Sequence, residues 1–207
     1  MAVLATDNFN RADNADLGAN WSPGSFGTCA IFSNIARPSA VSAERREFWN
    51  AITWPNDQYS HVTILAVEQG GATGPGPAVR LASAALTGYV VYCDVSIHLY
   101  KLVAGAYTGL GVNNVPSPSP NDLIRVEAQG TTIRVFQNGV QAISVTDTSI
   151  ASGNAGLGGY VSPITDGHMD DWEGGDFVAA GRTTRNTLAA PLGRHLGRGL
   201  WTHGGSS

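Results

Sequence analysis

Residues 123–145 read LIRVEAQGTTIRVFQNGVQAISV, and their pattern decides the fold. Apolar and polar side chains alternate over 123–128, again over 131–137 and again over 140–145. Alternation of period two marks a strand with one buried face. The breaks between the runs are Gln129-Gly130 and Asn138-Gly139. Asn-Gly between alternating runs favours a two-residue hairpin turn, because both residues tolerate the positive φ that the turn requires. Three antiparallel strands in a meander follow.

Working outward, strands are expected over 28–35, 39–43, 51–54, 58–68, 77–81, 88–95, 97–103, 154–161 and 167–172. The run 97–103, IHLYKLV, sets Ile97, Leu99 and Lys101 on one face and His98, Tyr100 and Leu102 on the other. Residues 7–21 predict a short edge strand and a polar turn anchored by Phe9, Leu17 and Trp21. Gly and Pro content makes loops of 70–77 (GGATGPGP) and 113–122 (NNVPSPSPND). The stretch 43–50, AERREFWN, has room for one helical turn but lacks a second apolar turn. With 26 Gly, 10 Pro and only 14% charged residues, the composition also leans away from helix. About a dozen short strands with turn residues between them predict an all-β, antiparallel two-sheet sandwich. The expected organisation is one jelly-roll domain over 1–178 and an extended C-terminal arm over 179–207.

Global properties exclude several classes. No stretch approaches the ~20 apolar residues of a membrane helix. The first residues, MAVLATD, lack the basic and apolar segments of a secretory signal. A chain made in the cytoplasm is expected. Cys29 and Cys93 have no metal or redox spacing and read as two small buried thiols, with a single disulfide as the alternative. Net charge is −4, but it is unevenly spread: all 16 acidic residues lie at or before Asp176, whereas four of the 12 basic residues lie after it. A basic arm thus follows an acidic domain. Four arginines without a lysine make a weak nucleic-acid footprint.

Several motifs resemble one family. Asp7-Asn8-Phe9-Asn10-Arg11 with Leu17-Gly18 and Trp21 is similar to the opening of concanavalin A-like lectin/glucanase domains of the laminin G-like type. Gly88-Tyr89 with Leu99-Tyr100-Lys101-Leu102 resembles their middle hairpin, and residues 123–160 resemble their meander and the strand after it. Asp170-Asp171-Trp172 is similar to their last strand. The likeness spans roughly residues 3–178 and implies a jelly roll, a scaffold that hosts many functions. Its glucanases carry two glutamates and an aspartate in alternation, which puts all three on one strand face. The sequence has no such triplet, so a non-enzyme is expected.

The family often holds one Ca²⁺ between its first and last strands, which would make Asp7, Asp170 and Asp171 ligands. Trp49, Trp54 and Tyr59 are candidates for an aromatic glycan platform, with core packing as the alternative. In the arm, Leu188, Leu192, Leu196 and Leu200 recur every four residues, followed by Trp201 and accompanied by Arg185, Arg194 and Arg198. Pro191, Gly193, Gly197 and Gly199 oppose an isolated helix. Such an arm suits docking on copies of the same chain or on other particle proteins. The expected function is a bacteriophage virion protein, a capsid decoration or tail/fibre component whose loops meet host surface glycans. The competing expectation is a bacterial carbohydrate-binding module or weak glycosidase.

Overall fold

The structure, a computed structural model, describes residues 1–67, 73–162 and 167–177. Among these residues there are fifteen strands and no helix. They are β1 (Ala2–Asp7), β2 (Trp21–Ser22), β3 (Cys29–Phe32), β4 (Ile35–Pro38), β5 (Glu44–Trp49), β6 (Gln58–Ile64), β7 (Gly74–Leu81) and β8 (Gly88–Cys93), followed by β9 (Ile97–Val103), β10 (Ala106–Asn113), β11 (Asp122–Gln129), β12 (Thr132–Gln137), β13 (Val140–Thr146), β14 (Asn154–Tyr160) and β15 (Met169–Asp176). The first sheet runs β13-β12-β11-β6-β15-β4-β3, with β1 also paired to β15. The second runs β10-β9-β8-β7-β14-β5-β2. All pairings are antiparallel, giving the two-sheet jelly roll expected.

The meander forms as its turn chemistry dictates. Asn138 (φ 52°) and Gly139 (φ 81°) make the β12–β13 turn. The Asn138 side chain fixes it further, accepting Leu123 N–H at 2.9 Å and donating to Asp122 at 2.7 Å. The core between the sheets takes Val62, Ile64, Val126 and Val135 from one side and Val79, Tyr89, Val91 and Leu157 from the other. Glu47 is buried among them at 1% exposure, accepting Cys29 N–H at 2.9 Å. Burial pushes its carboxyl up to about 7, against the pull of that amide. Cys29 and Cys93 are both buried free thiols.

Several expectations about individual segments fail. The strand expected over 28–35 is a β3–β4 hairpin, because Ser33 and Asn34 adopt positive φ (51° and 65°). Residues 39–43 are a loop, and the helical turn considered at 43–50 is strand β5, held between β2 and β14. Residues 51–54 form no strand. The GPGP part of the expected 70–77 loop opens β7, inside the second sheet. Pro75 and Pro77 survive there because β8 pairs with β7 only at Ala78 and Val79, beyond the prolines. Strand β10, which has no alternation to betray it, pairs along β9. The arm residues Arg185, Leu188, Leu192, Arg194, Leu196, Arg198, Leu200 and Trp201 lie outside the described residues.

Candidate functional site

The aspartates expected to hold Ca²⁺ approach one another without forming a shell. Asp7 closes the loop that follows β1. One carboxylate oxygen accepts Phe9 N–H (2.9 Å) and Arg11 Nη1 (2.6 Å); the other accepts Arg11 Nη2 (2.9 Å) and Trp21 Nε1 (2.8 Å). Its acceptor positions are therefore filled by donors, one of them a cation. Asp171 sits at a bulge in β15 with φ 47°, and Asp170 accepts the Asp171 N–H at 2.8 Å. Burial raises the Asp170 carboxyl, with Asp171 and Asp7 adding to it. Asp7 and Asp171 share a pocket of about 440 Å³ with His61 and Glu173. Among the described residues no three His, Cys, Asp or Glu side chains are arranged to hold a metal. Among the described residues, Asp7, Asp170 and Asp171 thus form no Ca²⁺ shell by themselves.

The trio expected as a glycan platform is spent mostly on the core. Trp172 lies 4.6 Å from Trp21, 5.6 Å from Trp49 and 6.2 Å from Trp54, ring centre to centre. Trp54 is buried and donates its indole N–H to Trp49 O at 2.8 Å. Tyr59 is buried and donates to Glu173 at 2.7 Å. Only Trp49 keeps a partly open ring, beside Arg11 and Asn20. The register Trp21↔Trp49 turns it inward, away from display.

A different aromatic group is displayed, on the outer face of the second sheet. In β8, Tyr89 and Val91 enter the inter-sheet core, so Val90 and Tyr92 face outward, where a second apolar cluster includes Phe48, Leu81 and Leu102. The middle of this face is backbone rather than side chain. At Gly158 (φ 143°) an added Cβ would meet Arg45 O at 2.2 Å and the Arg46 Cα at 2.6 Å. With no side chain there, Arg46 lies across β14, fully buried, and donates to Gly76 O and Val91 O at 3.2 Å each. Gly76 lies between the two prolines and Val91 faces it from β8, where the β7–β8 ladder has stopped. Arg46 serves them instead.

Glu44 organises the rest. It accepts the Arg46 Nε–H, Tyr92 OH (2.6 Å) and Tyr107 OH (3.0 Å). Burial works against the Arg46 charge, but Glu44 and Tyr92 more than offset it, and the guanidinium pKa goes up. Burial, with Glu44 next, pushes the Tyr107 phenol up to about 12. Rings continue outward: Tyr92 to Tyr100 at 5.7 Å, Tyr100 to Tyr107 at 6.3 Å, and His98 stacked on Tyr100 at 6.3 Å. His98 is held by Asp94 at 3.0 Å. Tyr107 is 49% exposed, and Tyr100 and His98 are half-buried. The result is an open row of rings beside a carboxylate-centred hydrogen-bond network. The alternation in 97–103 contained the pairing of His98 with Tyr100; Glu44 and Arg46 were hidden by the helical turn considered there.

No protein-family model matches this sequence, and no curated protein does either. Solved structures do match. A protein of unknown function with a galectin-like fold from Bacillus subtilis aligns with 85% of this chain and 96% of its own, at 11% identity and a TM-score of 0.58. The carbohydrate binding module CBM66 from Bacillus subtilis aligns with 74% of this chain and 95% of its own, at 17% identity and 0.56. The fold is a lectin-like jelly roll. The exoplasmic/lumenal domain of VIP36, in its Ca²⁺/Man3GlcNAc-bound form, aligns with 77% of this chain and 85% of its own, at 14% identity and 0.55. At these identities the likeness is one of fold.

Proposed function

We propose that this chain is a non-catalytic carbohydrate-binding domain that takes glycans on the Tyr100–Tyr107 face of its second sheet. The observation that carries the proposal is the exposed Tyr107 ring, beside Tyr100 and His98 and tied to Glu44. Ring faces pack against the C–H faces of a sugar, while carboxylate and phenol groups exchange hydrogen bonds with its hydroxyls. Two fold neighbours are described as a carbohydrate binding module and a glycan-bound domain, in line with this use of the scaffold. Non-catalytic binding is proposed because the sequence has no alternating carboxylate triplet of the glucanase kind. A glycan array followed by titration calorimetry tests the proposal. A bound glycan should lose about tenfold or more in affinity with Tyr107→Ala, equivalent to about 1.4 kcal/mol. An array with no bound glycan refutes the function; binding that survives Tyr107→Ala refutes the location.

A second reading is a virion structural protein, located in the particle, whose residues 182–207 attach it to its neighbours. The charge split favours it: a basic arm after an acidic domain attracts between copies. Particle attachment unchanged on deletion of 182–207 would refute it.

A further inference from the structure

One flank of the sandwich carries no charge. Residues 102–121 and 135–146 contain no Asp, Glu, Lys or Arg, in a chain with 28 of them. The first stretch includes β10 and the second β13, the edge strands of their respective sheets, which lie next to each other. Edge strands present unpaired backbone groups, and neighbouring charges normally guard them. Here such guards are absent. At one end of the flank a cleft of about 250 Å³ lies between the β12–β13 turn and the loop after β10. Val115, Pro116, Val140 and Ala142 give it aliphatic walls, and Gln137 and Gln141 add amides. Val115 and Val140 are 77% and 70% exposed.

Gln137, which lines the cleft, has a polar atom without a partner. Its side chain is 5% exposed. The amide nitrogen donates to Asp122 Oδ2 at 2.7 Å and to Ser117 O at 3.4 Å. The amide oxygen is buried and receives no hydrogen bond. Turning the amide over would press its oxygen against the Asp122 carboxylate, so the orientation is fixed by chemistry. A buried acceptor without a donor costs free energy until something supplies an N–H or O–H. Aliphatic walls without an aromatic ring suit a peptide rather than a sugar.

We propose that this cleft receives the uncharged run 186–193 (NTLAAPLG) from the arm of a second copy, with a main-chain N–H donated to Gln137 Oε1. The run matches the neutral cleft, and Arg185 and Arg194 on either side meet an acidic domain. The arm of the same chain is poorly placed to supply it. Phe177 follows the end of β15 that pairs with Gln58, whereas the cleft lies at the opposite end of the first sheet, four strands away. That separation is about 28 Å, from strand spacing and rise. The nine steps from Phe177 to Asn186 span at most about 32 Å when fully extended, which leaves only about 4 Å for a path that must follow the surface.

Light scattering of the full chain over about a hundredfold range of concentration tests the proposal. Mass should rise with concentration, and excess synthetic peptide 182–207 should reverse the rise. Val140→Asp on the cleft and Leu188→Asp on the arm should each weaken association about tenfold or more. Val140 is exposed, so its variant should melt as the parent does. A monomer at every concentration overturns the proposal, as does association indifferent to Val140→Asp. A monomer in which Val140→Asp exposes the arm to protease also overturns it, because the occupant is then the same chain's arm.

Discussion

Glu47 should make this protein less stable as the pH rises through neutrality, and Glu47→Gln should abolish that loss. The carboxyl is 1% exposed inside the sandwich and its pKa rises to about 7, against 4.5 for a free glutamate. Burial is the main cause, and no cation answers it. A raised acid pKa means that the folded state holds the proton more tightly than the unfolded chain. Below 4.5 both states are protonated and nothing is lost. Between 4.5 and about 7 the unfolded chain ionises freely while the folded one resists, so stability declines with rising pH. Above 7 the full difference, about 3 kcal/mol, is present. Gln is nearly isosteric, keeps a carbonyl oxygen for the Cys29 N–H, and does not titrate. Urea denaturation of both proteins at pH 5 and pH 8 isolates the effect, since every other titrating group is common to the pair. The variant's stability relative to the parent should improve by about 2–3 kcal/mol between the two pH values. A difference that stays constant from pH 5 to pH 8 would refute the reasoning.

Two further substitutions probe the polar networks. Arg46→Met should cost about 3–5 kcal/mol in urea titrations, because it strands the Glu44 carboxylate and leaves Gly76 O and Val91 O unserved. Arg46→Lys, which cannot fork to both carbonyls, should recover only part of that loss. Asp147 accepts Tyr89 OH (2.7 Å), Lys101 Nζ (2.6 Å) and Ser149 N–H (2.9 Å). Burial opposes its charge, but these donors outweigh it and hold the carboxyl well below the ordinary range. Its contribution is present above 3.8 and fades only as the pH falls further towards the lowered folded value. Asp147→Asn should therefore destabilise by about 1.5–3 kcal/mol at pH 7, measured by thermal melting, and by little in strong acid.

The sequence alone determined the meander, since Asn138-Gly139 and the alternation on both sides are local instructions that need no partner to be obeyed. It determined that Phe9, Leu17 and Trp21 are anchors, and the same opening motif contained the Asp7–Arg11 pair, whose role as a brace emerged only with the Trp21 and Phe9 bonds in view. Tertiary structure decided the rest. Pro75 and Pro77 belong to a strand because Arg46, nearly thirty residues away, supplies the donors their ladder lacks. Trp54 and Tyr59 are core while Tyr107 is displayed, although all three are aromatic residues in strand-rich sequence. Alternation tells which side chains share a face. Which face is inside depends on the sheet packed against it, and that is a property of contacts far apart in the chain.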